Sequence, residues 1–318
     1  MTNSPLLRLG TRRSPLALAQ AEEARARLCA AHGWDAGAVE LVPVVASGDR
    51  IQDRPLADIG GKALWTRELD AWLAAGEIDA SVHSLKDVET IRPDILTLAA
   101  ILPRADRRDR LIGAAILDDL PKGAVIGTSA PRRAAQALHQ RPDCTVVTFR
   151  GNVATRLAKL EAGEADATFL AAAGLSRLGQ DDVGTPLDPA HWLPAPAQGA
   201  IAVECRTDDE RTRSLLAALD HGPSRAEVTA ERALLAGLGG SCHSPVAVLC
   251  EHIVEEQGKA ELQMRAAIFS PAGQERVEAS ARFAVEDAKA PAALAARLLA
   301  QATSAITAVF DGPVRPSQ

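Results

Sequence analysis

The sequence predicts an α/β protein whose sheets are largely parallel, followed by a small α+β domain. Short apolar stretches alternate with helical stretches through the first two thirds of the 318 residues, and this alternation is typical of α/β domains. From about residue 225 onwards the pattern changes to a helix, a glycine-rich turn, a strand-like stretch and an alanine-rich helix. With 47% hydrophobic residues, the chain can supply a core to each of two or three domains.

The elements of the α/β part follow one another along the chain. The first helix is predicted to begin at Pro15 with Ser14 as its N-cap. A second helix over 64–75 is expected to end before Gly76, and further helices are expected after Ser129 and after Asn152. The intervening apolar or β-branched stretches predict strands at 6–9, 39–45, 80–82, 95–101, 124–127, 145–149 and 167–170.

Two connecting segments and the C-terminal part complete the pattern. Residues 46–63 form a polar, glycine-containing stretch without periodicity, of the length and kind that often forms a lid. Residues 188–196 are proline-rich and are expected to cross between domains. Beyond them, helices are predicted over 227–238 and 291–309, with a strand over 261–269 between them.

The composition argues against several classes of protein. A net charge of −6 and only 3% aromatic residues argue against nucleic-acid binding. The five cysteines include no Cys-x-x-Cys pair, which favours reduced thiols in a cytosol over disulfides or a zinc site. The N-terminus lacks a signal-peptide pattern, and no apolar run approaches the roughly 18 residues that a membrane helix needs. We therefore expect a soluble cytoplasmic protein with no membrane partner.

Positive charge is concentrated in the middle of the chain. Residues 104–159 contain 11 Lys or Arg and 5 Asp or Glu, so this stretch carries +6 and the remainder carries −12. Such a concentration within an acidic protein indicates a local anion site rather than a basic coat. A solvated surface without a ligand is an equally good interpretation of the charge alone.

Three strand-to-helix junctions share one design. Each has a glycine, a hydroxyl or amide side chain and arginines at the start of a helix, where free N–H groups and the helix dipole attract anions. Arginine adds a planar fork that matches a carboxylate or phosphate. The residues concerned are Arg12 and Ser14 in the first junction, Thr128, Ser129, Arg132 and Arg133 in the second, and Arg150 and Arg156 in the third.

Arg132 and Arg133 raise a question of energetics. Both fall in the first turn of their predicted helix, where a cation opposes the dipole by about 0.3–1 kcal/mol. A bound anion is the expected compensation, so that the ligand rather than the fold accounts for the two arginines. The simpler alternative is that each pairs with a nearby carboxylate or extends into water.

Further candidates lie outside these junctions. Cys242, in the glycine-rich turn over 239–245, offers a nucleophilic thiolate, although a lone cysteine is more often a small buried hydrophobe. Asp87 follows a predicted strand, and ligands of α/β sheets bind at the carboxyl ends of strands. Lys62 closes the 46–63 stretch and Gln198 ends a crossing segment; a flexible turn and a plain linker are the simpler interpretations of these two.

Five motifs follow one another along the chain: Thr-Arg-x-Ser-Pro-Leu-Ala-Leu at 11–18, Val-His-Ser-x-Lys-Asp at 82–87, Gly-Thr-Ser-x-x-Arg-Arg at 127–133, Arg-Gly-Asn-Val-x-Thr-Arg-Leu at 150–157 and Gly-x-Cys at 240–242. Together they resemble the porphobilinogen deaminase (hydroxymethylbilane synthase) family over nearly the whole chain. Any one motif is weak, whereas five in the same order over about 230 residues are specific. The chain departs from the family at Glu89, where a proline is common, and at Ser241, where a glycine is common.

The resemblance implies a fold and an activity. Two periplasmic-binding-protein-like α/β domains are expected around a cleft, at 1–102 with 198–220 and at 103–197, plus a small α+β domain at 221–318. A dipyrromethane cofactor is expected on Cys242 through a thioether. The enzyme is expected to condense four porphobilinogen units head to tail with release of ammonia. Each pyrrole brings an acetate and a propionate, which suits an arginine-rich cleft, and a monomer is expected.

The resemblance also implies a role for each candidate residue. Asp87 is expected to stabilise cationic pyrrole states and to move protons. No metal is expected. The residues expected to hold the cofactor are Cys242, Lys86, Asp87, Thr128, Ser129, Arg132 and Arg133, and those expected to bind substrate are Arg12, Ser14, Lys62, Arg150, Arg156 and Gln198.

Two other functions share parts of this pattern. A non-catalytic two-lobed carboxylate-binding protein or effector domain would have the same α/β domains, but it needs neither a tethering cysteine nor a third domain. A transferase for phosphate ligands would have similar arginine-rich helix starts, but it would normally show a P-loop or a metal cluster.

Overall fold

The computed structural model describes residues 5–44, 66–254 and 260–310, and these fold around three β-sheets. The predicted loop at 46–63, and Lys62 with it, lies outside the described residues. The first sheet consists of Leu7–Arg12 (β1), Val39–Val44 (β2), Ala80–Ser84 (β3), Leu96–Ile101 (β4) and Ile201–Arg206 (β10), in the spatial order β2-β1-β3-β10-β4. The second consists of Asp109–Ile112 (β5), Val125–Gly127 (β6), Thr145–Val147 (β7), Ala167–Ala171 (β8) and Thr185–Pro186 (β9), in the order β7-β6-β8-β5-β9.

These two five-stranded sheets have the same topology. In each, three neighbouring strands are parallel, the fourth is antiparallel to them, and the fifth is antiparallel to the fourth. The fourth strand is β10 in one sheet and β5 in the other, and each follows a crossing of the chain from one sheet to the other. The predicted pair of α/β domains is confirmed, with mixed rather than largely parallel sheets.

The sequence pattern does not reveal β5 or β10. Charged residues interrupt their apolar runs, with Asp109 and Arg110 in β5 and Glu204 in β10. Asp109 and Glu204 are nonetheless fully buried, so each needs partners that come from distant parts of the chain.

Two helices of the α/β domains begin at the caps that the sequence predicts, whereas the helix predicted over 64–75 is described from Arg67. Ser14 caps the first helix, its Oγ accepting a hydrogen bond from the Ala17 N–H at 3.3 Å. Asn152 caps another in the same way, with its Oδ1 2.9 Å from the Thr155 N–H. In the described residues the helices of the two α/β domains are Pro15–His32 (α1), Arg67–Ala75 (α2), Pro131–Gln140 (α3), Val153–Glu161 (α4), Ala172–Arg177 (α5) and Glu210–Leu216 (α6).

The C-terminal domain is α+β, as predicted. Its sheet is an antiparallel meander of Val246–Val254 (β11), Ala260–Phe269 (β12) and Arg276–Ala284 (β13). Its helices are Gly222–Leu238 (α7), Ala290–Gln301 (α8) and Ser304–Thr307 (α9), so the helix predicted over 291–309 is interrupted after Gln301. The core between sheet and helices includes Leu234, Leu238, Met264, Ile268 and Leu298.

Helix α7 touches both segments in which the chain crosses between the two larger domains. The buried Glu231 carboxylate accepts hydrogen bonds from the Arg104 guanidinium at 2.9 Å and from the Ala197 N–H at 2.6 Å. The first sheet draws its strands from 7–101 and 201–206, and the second from 109–186. The bounds 1–102 with 198–220, 103–197 and 221–318 stay a prediction. Within the described ranges, no helix is both long and apolar enough to cross a membrane.

Candidate active site

A cleft of about 750 Å³ opens between the two α/β domains and the C-terminal domain. On the side of the first sheet, Arg12 ends β1, and Asp87 ends the short turn Leu85–Asp87 that follows β3. Because β1 and β3 are parallel neighbours, their carboxyl ends meet at one edge of the sheet. The predicted site residues that line the cleft are Arg12, Ser14, Lys86, Asp87, Ser129, Arg132, Arg133, Arg150, Arg156, Gln198 and Cys242.

The second sheet brings two of the arginine-rich junctions together. Strand β6 leads to α3 and its parallel neighbour β7 leads to α4. An added Cβ on Gly127, the last residue of β6, would lie 2.5 Å from the Phe149 ring, so a side chain here would force the two junctions apart. The glycine therefore permits the close approach of α3 and α4 at the cleft.

Arg132 and Arg133 share one buried carboxylate. Arg132 Nη2 lies 2.7 Å from Asp109 Oδ2, and Arg133 Nη2 lies 2.7 Å from Asp109 Oδ1. Trp192 Nε1 donates a further hydrogen bond to Asp109 at 2.8 Å. Although burial by itself would raise it, the two guanidinium groups hold the pKa of Asp109 far below its usual range.

The two ion pairs with Asp109 contradict the interpretation that a ligand rather than the fold accounts for Arg132 and Arg133. The fold itself supplies a carboxylate, which is the simpler alternative that the sequence left open. The sequence does not mark Asp109 as this carboxylate, because it is one of several charged residues in the stretch 104–110.

Positive charge nevertheless remains in excess beside the cleft. One carboxylate faces two guanidinium groups, and Arg133 Nε is buried without a hydrogen-bond partner among the described residues. Burial, with Arg133 and Arg132 nearby, lowers the pKa of Lys86 to about 8, although Asp87 opposes this shift. Burial, with Arg133 and then Arg150, lowers the pKa of Arg156 to about 10. These cations repel one another, and a bound polyanion would relieve that repulsion.

Other predicted site residues also have structural roles. Thr128 is buried, and its Oγ1 accepts a hydrogen bond from the Ala130 N–H at 3.2 Å. Gln198 is fully buried, and its Nε2 lies 2.9 Å from Asp109 Oδ1. Gln198 therefore supports the arginine cluster and Thr128 supports the turn that leads into α3, and the roles of both toward a ligand stay predictions.

Cys242 lies on the wall of the cleft that the C-terminal domain contributes. Its loop follows the end of α7, where Gly240 N donates to Leu235 O at 2.9 Å and Ser241 N donates to Ser244 Oγ at 3.0 Å. Cys242 is exposed, whereas the other four cysteines are buried. The surrounding protein desolvates the thiol, and Asp87 and Glu89 add negative charge, so that the pKa of Cys242 is raised to about 12. At neutral pH the group is a thiol that a ligand in the cleft can reach.

The described residues contain no cluster of three or more His, Cys, Asp or Glu side chains placed to hold a metal ion. His83 is a buried core residue, with its Nε2 2.7 Å from Ser81 Oγ. Burial, followed by the charge of Arg92, lowers the pKa of His83 to about 4. Asp87 is the acidic residue that lines the cleft in the described part of the chain.

The sequence also matches models of a known protein family. The family model "Porphobilinogen deaminase, dipyromethane cofactor binding domain" matches residues 7–214, and "Porphobilinogen deaminase, C-terminal domain" matches 225–301. The porphobilinogen deaminase of Sphingopyxis alaskensis is 57% identical over 309 residues, which is 96% of each chain. That of Paracoccus denitrificans is 52% identical over 276 residues, which is 86% of this chain and 87% of the relative.

Solved structures give only distant likenesses. One is the open substrate-binding domain 2 of GlnP from Lactococcus lactis, 12% identical, with a TM-score of 0.42 over 72% of this chain and 93% of that one. The two family models, by contrast, together span β1 to α8, and the Sphingopyxis relative matches nearly the full length. The chain therefore belongs to the porphobilinogen deaminase family.

Proposed function

We propose that the protein condenses four porphobilinogen units head to tail into hydroxymethylbilane, releasing ammonia, on a dipyrromethane cofactor bonded to Cys242. Membership of the family supports the activity and the cofactor. The observation that carries the proposal to individual residues is the position of Cys242. Its exposed thiol faces a cleft whose described lining contains Lys86 and the arginines Arg12, Arg13, Arg132, Arg133, Arg150 and Arg156.

The residues of the cleft fit a tethered polyanion. A dipyrromethane carries two acetates and two propionates, whereas Asp87 is the acidic side chain of the described lining. The buried Arg133 Nε lacks a hydrogen-bond partner among the described residues, and a ligand carboxylate can supply one. Burial first and the charge of Arg133 next lower the pKa values of Lys86 and Arg156, and ligand carboxylates beside them would favour their charged forms.

Three cationic side chains are assigned to the cofactor. Arg132 and Arg133 present guanidinium groups that Asp109 already orients, so less side-chain entropy is lost when a carboxylate binds. Lys86 adds a point charge from the first sheet. Ser129 lines the same cleft, and its neighbour Thr128 is buried. When bound, the cofactor supplies the pyrrole carbon at which the chain is extended.

A second set of residues is assigned to the incoming substrate and the growing chain. Arg12 and Ser14 lie at the end of β1, on the opposite side of the cleft from Arg150 and Arg156. Arg156 Nε is oriented by a hydrogen bond to Gly151 O at 3.0 Å. Gln198 and Lys62 complete the proposed set, the latter outside the described residues.

Asp87 is assigned the catalytic role. Its carboxylate lines the cleft beside Lys86, and it contributes to the raised pKa of the Cys242 thiol. A carboxylate placed there stabilises positive charge that develops on a pyrrole and can accept and return protons at its oxygens.

We further propose that the protein acts as a cytoplasmic monomer without a nucleic-acid or membrane partner. One chain supplies all three walls of the cleft, so the site needs no second copy to complete it. The net charge of −6 also disfavours a polyanionic macromolecule on the outer surface.

The mass of the purified protein tests the function. The intact chain should be heavier than its 318-residue sequence by two pyrrole units, and Cys242→Ser should remove both the added mass and the activity. Cys29→Ser, at a buried cysteine of α1, is the matched control and should keep both. A fully active protein of unmodified mass contradicts the proposal.

A further inference from the structure

A short segment connects the catalytic carboxylate to the loop that carries the tethering cysteine. Residues 88–90, the strap, directly follow Asp87. At its far end, Thr90 Oγ1 donates a hydrogen bond to Gly240 O at 3.2 Å, two residues before Cys242. Asp87 and Cys242 both line the cleft, so the position of the strap affects the distance between these two residues.

One guanidinium holds all three main-chain carbonyls of the strap. Arg232 Nη1 lies 3.2 Å from Val88 O, and its Nη2 lies 2.6 Å from Glu89 O and 3.1 Å from Thr90 O. Arg232 belongs to α7, the helix whose C-terminal end leads into the Cys242 loop. The strap and the cysteine loop are therefore attached to the same rigid element.

The strap is also fixed to the first sheet. Arg92 Nη2 lies 2.6 Å from Asp70 Oδ1 and 2.7 Å from Glu204 Oε2, and Arg92 Nη1 pairs with the Glu89 carboxylate. Thr66 Oγ1 donates to the same carboxylate at 3.1 Å. Glu89, which departs from the proline common in the family, thus gives the strap an additional attachment to the first domain.

Packing alone does not account for an arginine at position 232, because removing its charge from water costs free energy. Its hydrogen bonds within the described residues run to main-chain oxygens rather than to a carboxylate. Burial, followed by the charge of Arg92, lowers the pKa of Arg232 to about 10, although Glu204 and Glu89 oppose the shift. Even a partly buried charge carries a desolvation penalty that an apolar side chain of similar volume would avoid. The geometry of the three carbonyl contacts is the feature that an apolar side chain cannot reproduce.

We propose that Arg232 is a positioning residue that sets the distance between Asp87 and the tethered end of the cofactor at Cys242. The inference rests on the proposed function, because it takes Asp87 as the catalytic group. A displacement of about 1 Å can cost on the order of 100-fold in rate. The substrate-binding arginines lie outside the strap, so its displacement should lower kcat more than it raises KM.

Arg225 provides a matched control on the same helix. Its Nη1 lies 3.3 Å from Leu98 O and its Nη2 lies 2.9 Å from Ala99 O, away from the strap. Both Arg232→Gln and Arg225→Gln therefore remove arginine contacts to main-chain carbonyls. We expect both to lower Tm, but only Arg232→Gln to lower kcat by about 10–100-fold at similar KM. Arg232→Lys, which can restore some of the contacts, should recover part of the loss.

The apoprotein provides a measurement that does not depend on turnover. Desolvation and the charges of Asp87 and Glu89 raise the pKa of the Cys242 thiol. Release of the strap should admit water and let both carboxylates move, and both changes lower that pKa. Iodoacetamide should therefore alkylate Cys242 of apo Arg232→Gln several-fold faster than wild type near neutral pH, as followed by intact mass. Apo Arg225→Gln should match wild type.

Two results would overturn the inference. One is a kcat for Arg232→Gln equal to that of Arg225→Gln. The other is a rate of Cys242 alkylation near neutral pH in apo Arg232→Gln that equals the wild-type rate. The alkylation rate does not depend on whether Asp87 is the catalytic group. It therefore tests the positioning role of Arg232 separately from the proposed function.

Discussion

The guanidinium of Arg132 lies 2.7 Å from the fully buried carboxylate of Asp109, so the protein orients this arginine before any ligand arrives. Arg133 binds the other oxygen of the same carboxylate at 2.7 Å. A single buried anion thus orients two cations while leaving net positive charge toward the cleft. Preorganisation of this kind reduces the entropy that ligand carboxylates would otherwise have to overcome on binding.

Loss of the Asp109 charge should destabilise the fold strongly. Asp109→Asn leaves two buried guanidinium groups without a counter-ion, and breaking a buried pair in this way typically costs about 3–5 kcal/mol. Urea unfolding at neutral pH measures the loss, with exposed Asp118→Asn as the control. Because folding lowers the pKa of Asp109, its stabilising effect is present above the unfolded pKa of about 3.9 and is lost as pH falls below it. The difference between wild type and Asp109→Asn should therefore shrink below about pH 4, and a difference that grows there contradicts the assignment.

Removal of Arg132 should block loading of the cofactor. Arg132→Leu deletes a guanidinium that faces the cleft, so intact mass should show mainly apoprotein. Thermal unfolding should show lower stability for two reasons. Asp109 loses one of its buried partners, and a ligand present at 100 times its dissociation constant no longer contributes its stabilisation of about 2.7 kcal/mol. The control is Arg141→Leu, at the far end of the same helix, where the guanidinium pairs with Asp143. Full loading of Arg132→Leu would falsify its assignment to the cofactor.

Asp87 should be required for turnover rather than for binding. Asp87→Asn keeps the shape of the side chain and removes its charge, so the rate of chain elongation should fall by about 10²–10⁴-fold, while the tethered cofactor still largely forms. Asp87→Glu keeps the charge and should retain some activity. The elongation rates of purified holoenzymes decide the matter, with exposed Asp94→Asn as the control. Equal activity of the Asn and Glu variants would make Asp87 a structural residue.

Binding of carboxylates by the apoprotein should weaken as pH rises past about 8. The pKa of Lys86 is lowered to about 8, so its positive charge is present below that pH and is lost above it. A bound anion raises this pKa again, so the apoprotein is the form to study. Calorimetry with citrate, a small polycarboxylate, should show weaker binding at pH 9 than at pH 7 in wild type. Lys86→Arg should flatten that dependence, and exposed Lys122→Arg should leave it unchanged. The same pH dependence in Lys86→Arg would exclude Lys86 from the anion site.

The sequence predicted the local structure around the site well. Ser14 and Asn152 cap their helices as their positions indicated, and Cys242 lies in an exposed loop directly after α7. The family motifs predicted the order of these elements along the chain, and they also predicted the reaction class. The roles of individual residues remain predictions that the experiments above test.

The sequence by itself determined the helix starts, the turns and the chemical types of the site residues, because a cap or turn depends on neighbours within a few positions. The tertiary structure decided which charges meet. Asp109 lies 23 positions before Arg132, and Val88 lies 144 positions before Arg232. Such pairs form because the chain passes from the first sheet to β5 in the second and returns to the first at β10, and because α7 packs against both crossing segments. Their contacts depend on the path of the whole chain, and no local pattern of residues records that path.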